Sequence, residues 1–278
     1  MKNIVIFFSL LLPFGCADVA YAYKQETHKD SSQAAAEVSA FKNDPKVLEN
    51  LGLEPLDKKQ TFEIALSGKK TITQHIRNGA DFEDSGVRSQ YHFFDPTRGT
   101  GLFGTTIPSP DWALEDKGDI GDQDFPLKDA YGRLYKALTL TSQDDRMHNF
   151  GLMFENLGWV IHHIQDMAQP QHVRDDDHCD FFPCRAVGKH NPSLYETYTD
   201  IIKKKSEFTS LFGAYPQVNF DQDRKFWTGG GKGLADFTNR NFLSAGTNFT
   251  LDASGQPAVN TRYPDPQWNG TTDTWRFT

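Results

Sequence analysis

The stretch that most constrains this chain is SQDDRMHNFGLMFENLGWVIHHIQDMAQP, Ser142 to Pro170. Met153, Leu157, Val160, Ile161 and Ile164 fall at relative positions 0, 4, 7, 8 and 11, the spacing of one buried stripe on an α-helix. Ser142 with Asp145 three residues on resembles a capping start, and Pro170 interrupts regular helix hydrogen bonding at the other end. A core built by this chain must accommodate so long a helix. Its end, VIHHIQDMAQPQH, places three histidines and one aspartate in thirteen residues. His162 and Asp166 are four apart, project from one face and can reach one ion. His163 is rotated about 100° away and is expected to pack behind them. Gln169, before the proline, is biased to extended backbone, so the chain can swing His172 toward a second ion. Imidazole combined with carboxylate favours zinc.

The rest of the sequence is mainly helical in pattern. HKDSSQAAAEVSAF, FPLKDAYGRLYKALTLT, SLYETYTDIIKKKSEFTSLFG and FWTGGGKGLADFTNRNFLSA each suggest a helical segment, and QTFEIALSGKKTITQHIRNG reads as a helix ended by Gly79. No alternating strand pattern recurs. The expectation is an all-α fold, a single multi-helix domain over 23–245 with long loops at 84–125 and 175–192. A polar peripheral tail is expected over 246–278. The 278 residues suffice for one substantial core. A net charge of −8 argues against a general reader of nucleic-acid backbones or anionic membranes. It leaves room for a small phosphate site where bound metal ions dominate the local field.

The first residues have the form of an export signal. Lys2 precedes the apolar run IVIFFSLLLPFG, and Ala20-Tyr21-Ala22 is a small-x-small cleavage site. The expectation is a signal peptide over 1–22, a mature chain starting at Tyr23, and a secreted or periplasmic location. The alternative is a lipoprotein acylated at Cys16, for which Pro13-Phe14-Gly15 is a poor attachment signal. Cys179 and Cys184, in CDFFPC, remain after cleavage. In an oxidising compartment a local disulfide is the default, with zinc ligation as the alternative.

HHIQDMAQPQH resembles the H-x-x-x-D-x-x-x-x-x-H segment of the superfamily of zinc-dependent phospholipases C and single-strand-specific zinc nucleases. His162, Asp166 and His172 fall on its three ligand positions. YHFFDP is similar to a His-aromatic-aromatic-Asp-Pro segment of the family and puts His92 on a ligand position. GADFED places Asp81 in a context like that of the family's catalytic aspartate. The resemblance also implies one zinc held by the backbone amine and carbonyl of Tyr23 with His28. In KHNPSLYETY, Glu196 matches a family H-x-x-x-E motif, but Pro192 stands where the histidine would be. His190 is the expected partner of Glu196, and His178 is the reserve.

Taken over the chain, the resemblance implies a trinuclear zinc cluster. One ion of a close pair would rest on His92, His162 and Asp166, the other on His172, His190 and Glu196. A metal-activated water would hydrolyse a phosphodiester, with Asp81 at the metal site orienting or deprotonating that water. Phospholipid is the expected substrate, and Phe93, Phe94, Phe103 and Trp112 are candidates to face its acyl or head group. The competing readings are a single-strand nuclease, with nucleic acid entering only as substrate, and a zinc-binding protein with lost catalysis. No stable protein partner is implied.

Overall fold

The computed structural model describes residues 25–178 except 116, 117, 119 and 122, then 193–202, 221–242 and 244, and four short strands beyond. Residues 1–22, expected above to be a signal peptide, with Cys16 among them, and Tyr23, Cys179, Cys184 and His190 lie outside the described residues.

The described residues are mostly helical. Helix α1 (Gln25–Val38) leads through two single turns, α2 (Ala40–Asn43) and α3 (Lys46–Glu49), to a hairpin of β1 (Thr61–Ile64) and β2 (Gly68–Thr71). Helices α4 (Ile72–Glu83), α5 (Ser109–Leu114), α6 (Leu127–Thr139) and α7 (Gln143–Asp166) follow, then α8 (Leu194–Ile202) and α9 (Leu234–Asn241). The long helix α7 is central and packs chiefly on α4 and α6. Ser142 caps it by accepting from the Asp145 amide. The first half of α7 contributes Phe150, Met153 and Phe154 to a core shared with Leu48, Phe62, Ile72 and Ile76. Its second half contributes Val160 to another core, with Phe94, Leu114, Met167, Val173 and Trp227.

Two features depart from the sequence expectation. Residues 60–79 do not form one helix. Phe62 and Ile64 are buried while Thr61 and Glu63 are exposed, the period of a strand. Helix α4 starts only at Ile72, where Thr71 and Gln74 cap each other's backbone. In addition, Gly79 does not end the helix. A β-carbon there would lie 2.0 Å from the Glu155 carbonyl oxygen, and one at Gly158 would lie 2.1 Å from that of Ile76. The two glycines let the backbones of α4 and α7 touch, and α4 runs on to Glu83. This contact sets the last turn of α4 against the last turns of α7.

The tail also departs from the strand-free expectation. Strand β3 (Phe249–Leu251) pairs antiparallel with β4 (Pro257–Val259), and β5 (Pro266–Trp268) with β6 (Trp275–Phe277). Three-residue strands are too short to show alternation within a sequence rich in turn-forming residues.

Candidate metal centre

Asp166 closes α7 and is fully buried. One of its oxygens lies 3.3 Å from His28 Nε2, on α1. The other lies 3.2 Å from His92 Nδ1, 3.3 Å from His162 Nε2 and 3.9 Å from His172 Nδ1. His92 follows the two-turn 3-10 segment Gly86–Tyr91, so four separate pieces of chain meet at one carboxylate. Asp84, the residue that terminates α4, faces the same place. Its Oδ1 is 3.7 Å from His92 Nδ1 and 3.6 Å from His162 Nε2.

The outward-facing ring atoms are fixed by hydrogen bonds on the far side of each imidazole. His162 Nδ1 donates to the Ala80 carbonyl at 2.7 Å, an atom that can only accept. That leaves the lone pair of Nε2 facing Asp84, Asp166 and His92. His172 Nδ1 donates to the His92 carbonyl at 3.2 Å, which frees Nε2. His28 Nδ1 is 2.7 Å from Gln165 Oε1, and the Gln165 amide donates to Ser32. His28 also stacks on His162 at 3.7 Å. Such bonds orient imidazole as a metal ligand.

A second group adjoins the first. His172, His178 and Glu196 converge, with His178 Nε2 2.5 Å from Glu196 Oε1. Gln169 donates to Glu196 at 3.0 Å and to Ser193 at 2.9 Å. Phe93 stacks on His172 with ring centroids 4.3 Å apart.

Four sets among the described residues have the spacing of metal ligands, and three of them form this centre: His28 with His162 and Asp166; Asp84 with His92 and His162; and His172 with His178 and Glu196. The fit of a cation is testable on the polar atoms. Both oxygens of Asp84, both of Asp166 and His172 Nε2 are buried and have no hydrogen-bond partner. Burying carboxylates this way is unfavourable by several kcal/mol per ion unless positive charge compensates, in the usual range of about 3–5 kcal/mol for a broken buried pair. A divalent cation at each set would satisfy these atoms, and imidazole with carboxylate is a fitting donor set. Glu83, His92 and His163 share the same spacing, and His92 Nε2 there lacks a hydrogen bond, but the carboxylate of this set does not share the deficit. Glu83 accepts from Arg88 at 3.0 and 2.6 Å, Trp112 at 3.2 Å and His163 at 2.9 Å. His163 is a buttress, as its rotation on the helix suggested.

Proton affinities follow from the same geometry. Burial tends to raise the Asp166 carboxyl, but His162, His92, His172 and His28 outweigh it and hold the group well below the usual carboxylate range. Burial pushes Asp84 well above that range, and repulsion from Asp166, Glu196 and Glu83 adds to it. Burial likewise raises Glu196. Burial lowers His92 to about 4 despite Asp166, and lowers His172 well below its ordinary value. Both are thus neutral near pH 7, the form that binds metal.

Of the residues expected from sequence, His28, His92, His162, Asp166, His172 and Glu196 are brought together. His178, the reserve, pairs with Glu196, while His190 lies outside the described residues. Asp81 is not in the cluster. It is half-buried and sits 3.3 Å from Lys29 on the outer side of α1 and α4. The physical reason is helix phase: Ile72, Ile76, Gly79, Ala80 and Glu83 form the buried face of α4, and Asp81 is off it. Asp84, in the same GADFED segment, reaches the cluster instead. Extending the Ile72, Ile76 pattern to Ala80 and Glu83 would have pointed there. Of the aromatics, Phe93, Phe94 and Trp112 are buried, and Phe103 is exposed. No family model matches the chain, and neither curated proteins nor solved structures yield a match.

Proposed function

We propose that the chain is an exported zinc-dependent phosphodiester hydrolase of the helical phospholipase C-like type, acting on phospholipid. The observation that carries this reading is the set of buried, unpartnered carboxylate and imidazole atoms shared by two adjoining ligand groups. Bound zinc would supply Lewis acidity toward phosphoryl oxygens and a lowered pKa for water. His28, His92, His162 and Asp166 would hold one side of the centre, and His172, His178 and Glu196 the other, with Asp166 between them. The backbone amine of Tyr23 is the remaining proposed donor, available once a leader is removed. Asp84 takes the role expected of Asp81: its free oxygens face the ligands, so it can orient the attacking water and hold its proton. A phospholipid is preferred to a nucleic acid because a chain of net charge −8 gains little from a long polyanion.

The test is hydrolysis by purified protein of phosphatidylcholine and of single-stranded DNA, each with and without chelator, alongside metal content by mass spectrometry. Chelator-sensitive release of phosphocholine, with two to three zinc ions per chain, is expected. Release of nucleotides in its place would assign the nuclease reading, and bound zinc with neither reaction would leave a zinc-binding protein.

A further inference from the structure

Glu83 and Asp84 are consecutive at the end of α4, and they face opposite nitrogens of one imidazole. Asp84 Oδ1 lies 3.7 Å from His92 Nδ1, the nitrogen that also meets Asp166 at 3.2 Å and His162 Nε2 at 3.3 Å. Glu83 Oε1 lies 3.7 Å from Nε2. That nitrogen is buried and has no hydrogen-bond partner, since 3.7 Å is too long for one. His28 and His162, by contrast, turn Nε2 toward Asp166 and keep Nδ1 on a partner behind the ring. His92 is reversed relative to them, and its rear nitrogen is not yet held.

A neutral imidazole carries one N–H. A cation in the set of Asp84, His92 and His162 takes the lone pair of His92 Nδ1, so the proton must sit on Nε2. His92 is fully shielded from solvent, and a buried N–H without an acceptor is unfavourable. We propose that Glu83 is a positioning residue of the metal centre: it accepts the Nε2 proton of His92 and so makes His92 a ligand through Nδ1. This role depends on the zinc centre proposed above and not on the reaction assigned to it.

Glu83 is built to stay in place. Arg88 grips its Oε2 with Nε and Nη2 at 3.0 and 2.6 Å. The guanidinium is itself fixed by Gln123 at 2.6 Å and lies 4.3 Å from the centre of the Trp159 ring. Oε1, the oxygen facing His92, accepts from His163 at 2.9 Å and more loosely from Trp112 at 3.2 Å. Trp112 stacks at 3.7 Å on Tyr91, the residue before His92, so the bracket and the ligand are packed as one unit. The same surroundings disfavour an ion on Glu83 itself. A dication there would be repelled by the guanidinium and by the N–H groups already aimed at the carboxylate. A third N–H meets no such barrier.

The experiment uses the full chain, zinc-free and zinc-loaded, with histidine nitrogens labelled for long-range proton–nitrogen NMR. His92 signals are identified by their absence from His92→Asn. In the zinc-loaded wild type, His92 is expected to carry its proton on Nε2 and the metal on Nδ1. Zinc affinity is measured in parallel by competition with a chromophoric chelator, comparing wild type, Glu83→Gln and Glu155→Gln. In Glu83→Gln the Arg88 fork should keep the amide oxygen, which turns the amide nitrogen, a donor, toward His92. Zinc affinity is therefore expected to fall about tenfold to a hundredfold. Glu155→Gln, which breaks a buried histidine–carboxylate pair away from the ligands, should bind zinc as wild type does. Metal on His92 Nε2 overturns the role of Glu83, as does unchanged affinity in Glu83→Gln. An equal loss in Glu155→Gln also overturns it, because lost stability would then account for the effect. The wild-type spectrum decides even where Glu83→Gln does not fold. Zinc on Nδ1 with no hydrolysis of any phosphodiester would support Glu83 as the positioning residue and remove the hydrolase reading alone. A chain that takes up no zinc overturns both.

Discussion

The interface of α4 and α7 contains buried histidine–carboxylate arrangements, and comparing two of them shows what marks a metal centre. In the first, His75 Nδ1 lies 3.1 Å from Glu155 Oε2 and His75 Nε2 lies 3.0 Å from the Phe62 carbonyl. The other Glu155 oxygen accepts from Ser67 at 2.6 Å, and Asn78 donates to that hydroxyl at 3.1 Å. Every polar atom of this pair has a partner inside the protein, and it fastens the β1–β2 hairpin to the helices. In the second, His162 and Asp166 are equally buried and face each other at 3.3 Å, yet both Asp166 oxygens and both Asp84 oxygens lack hydrogen bonds. An imidazole faces a carboxylate and both are buried in the two places. Completion of the hydrogen bonds is what differs: a structural pair is closed, whereas a ligand set is left open toward a point that a cation would occupy.

Substitutions at the two places should therefore separate metal content from stability. The largest effect is expected from Asp166→Ala, which removes the carboxylate approached by four histidines. Metal affinity should fall by more than the hundredfold or so that loss of a supporting group alone produces, and hydrolysis should vanish with it. Retention of full zinc stoichiometry by this variant, read by mass spectrometry, would break the distinction drawn above. Next comes Asp84→Asn, which keeps shape but cannot accept a proton. Turnover should drop by about a hundredfold to ten-thousandfold with the metal still bound. Glu155→Gln should do the reverse. It should lower stability by about 1–3 kcal/mol, seen as a lower melting temperature, while zinc content and turnover per folded molecule stay as they were.

How far these roles could be read from sequence depends on local regularity. Ser142, the Met153 to Ile164 stripe, His162 and Asp166 were legible because a long helix repeats its period several times, and two residues four apart must then share a face. The hairpin was hidden because Thr61–Ile64 offers only two alternations, and the same apolar residues also fit a helical pattern running on to Ile72 and Ile76. Gly79 looked like a stop because glycine commonly ends helices, but contact with the Glu155 backbone is a tertiary fact that composition does not encode. Partners of Glu196 were ambiguous for a related reason. A histidine in an irregular segment has no fixed phase relative to the next helix, so His178 and His190 could not be ranked by spacing. Gln165 and Gln169 orient ligands but carry no chemical signature that distinguishes them from surface glutamines.

The smallest expected effect concerns Asp81, and it discriminates most sharply between neighbours in the chain. Asp81 and Asp84 are three residues apart in GADFED, but one faces Lys29 at the rim and the other faces His92 and His162 in the interior. An ion pair that remains partly exposed is worth about 0–1 kcal/mol. Lys29 also keeps Glu26 at 2.8 Å when Asp81 is neutralised, so little positive charge is left uncompensated. Asp81→Asn should therefore shift the melting temperature by no more than about 2–4 °C and leave turnover within about a factor of two. Kinetics on Asp81→Asn and Asp84→Asn, prepared together and with metal content matched, give the reading. A collapse of turnover in Asp81→Asn with Asp84→Asn active would mean that the rim of α4, rather than its buried end, meets the substrate. The proposed centre would then have to open on the Lys29 side.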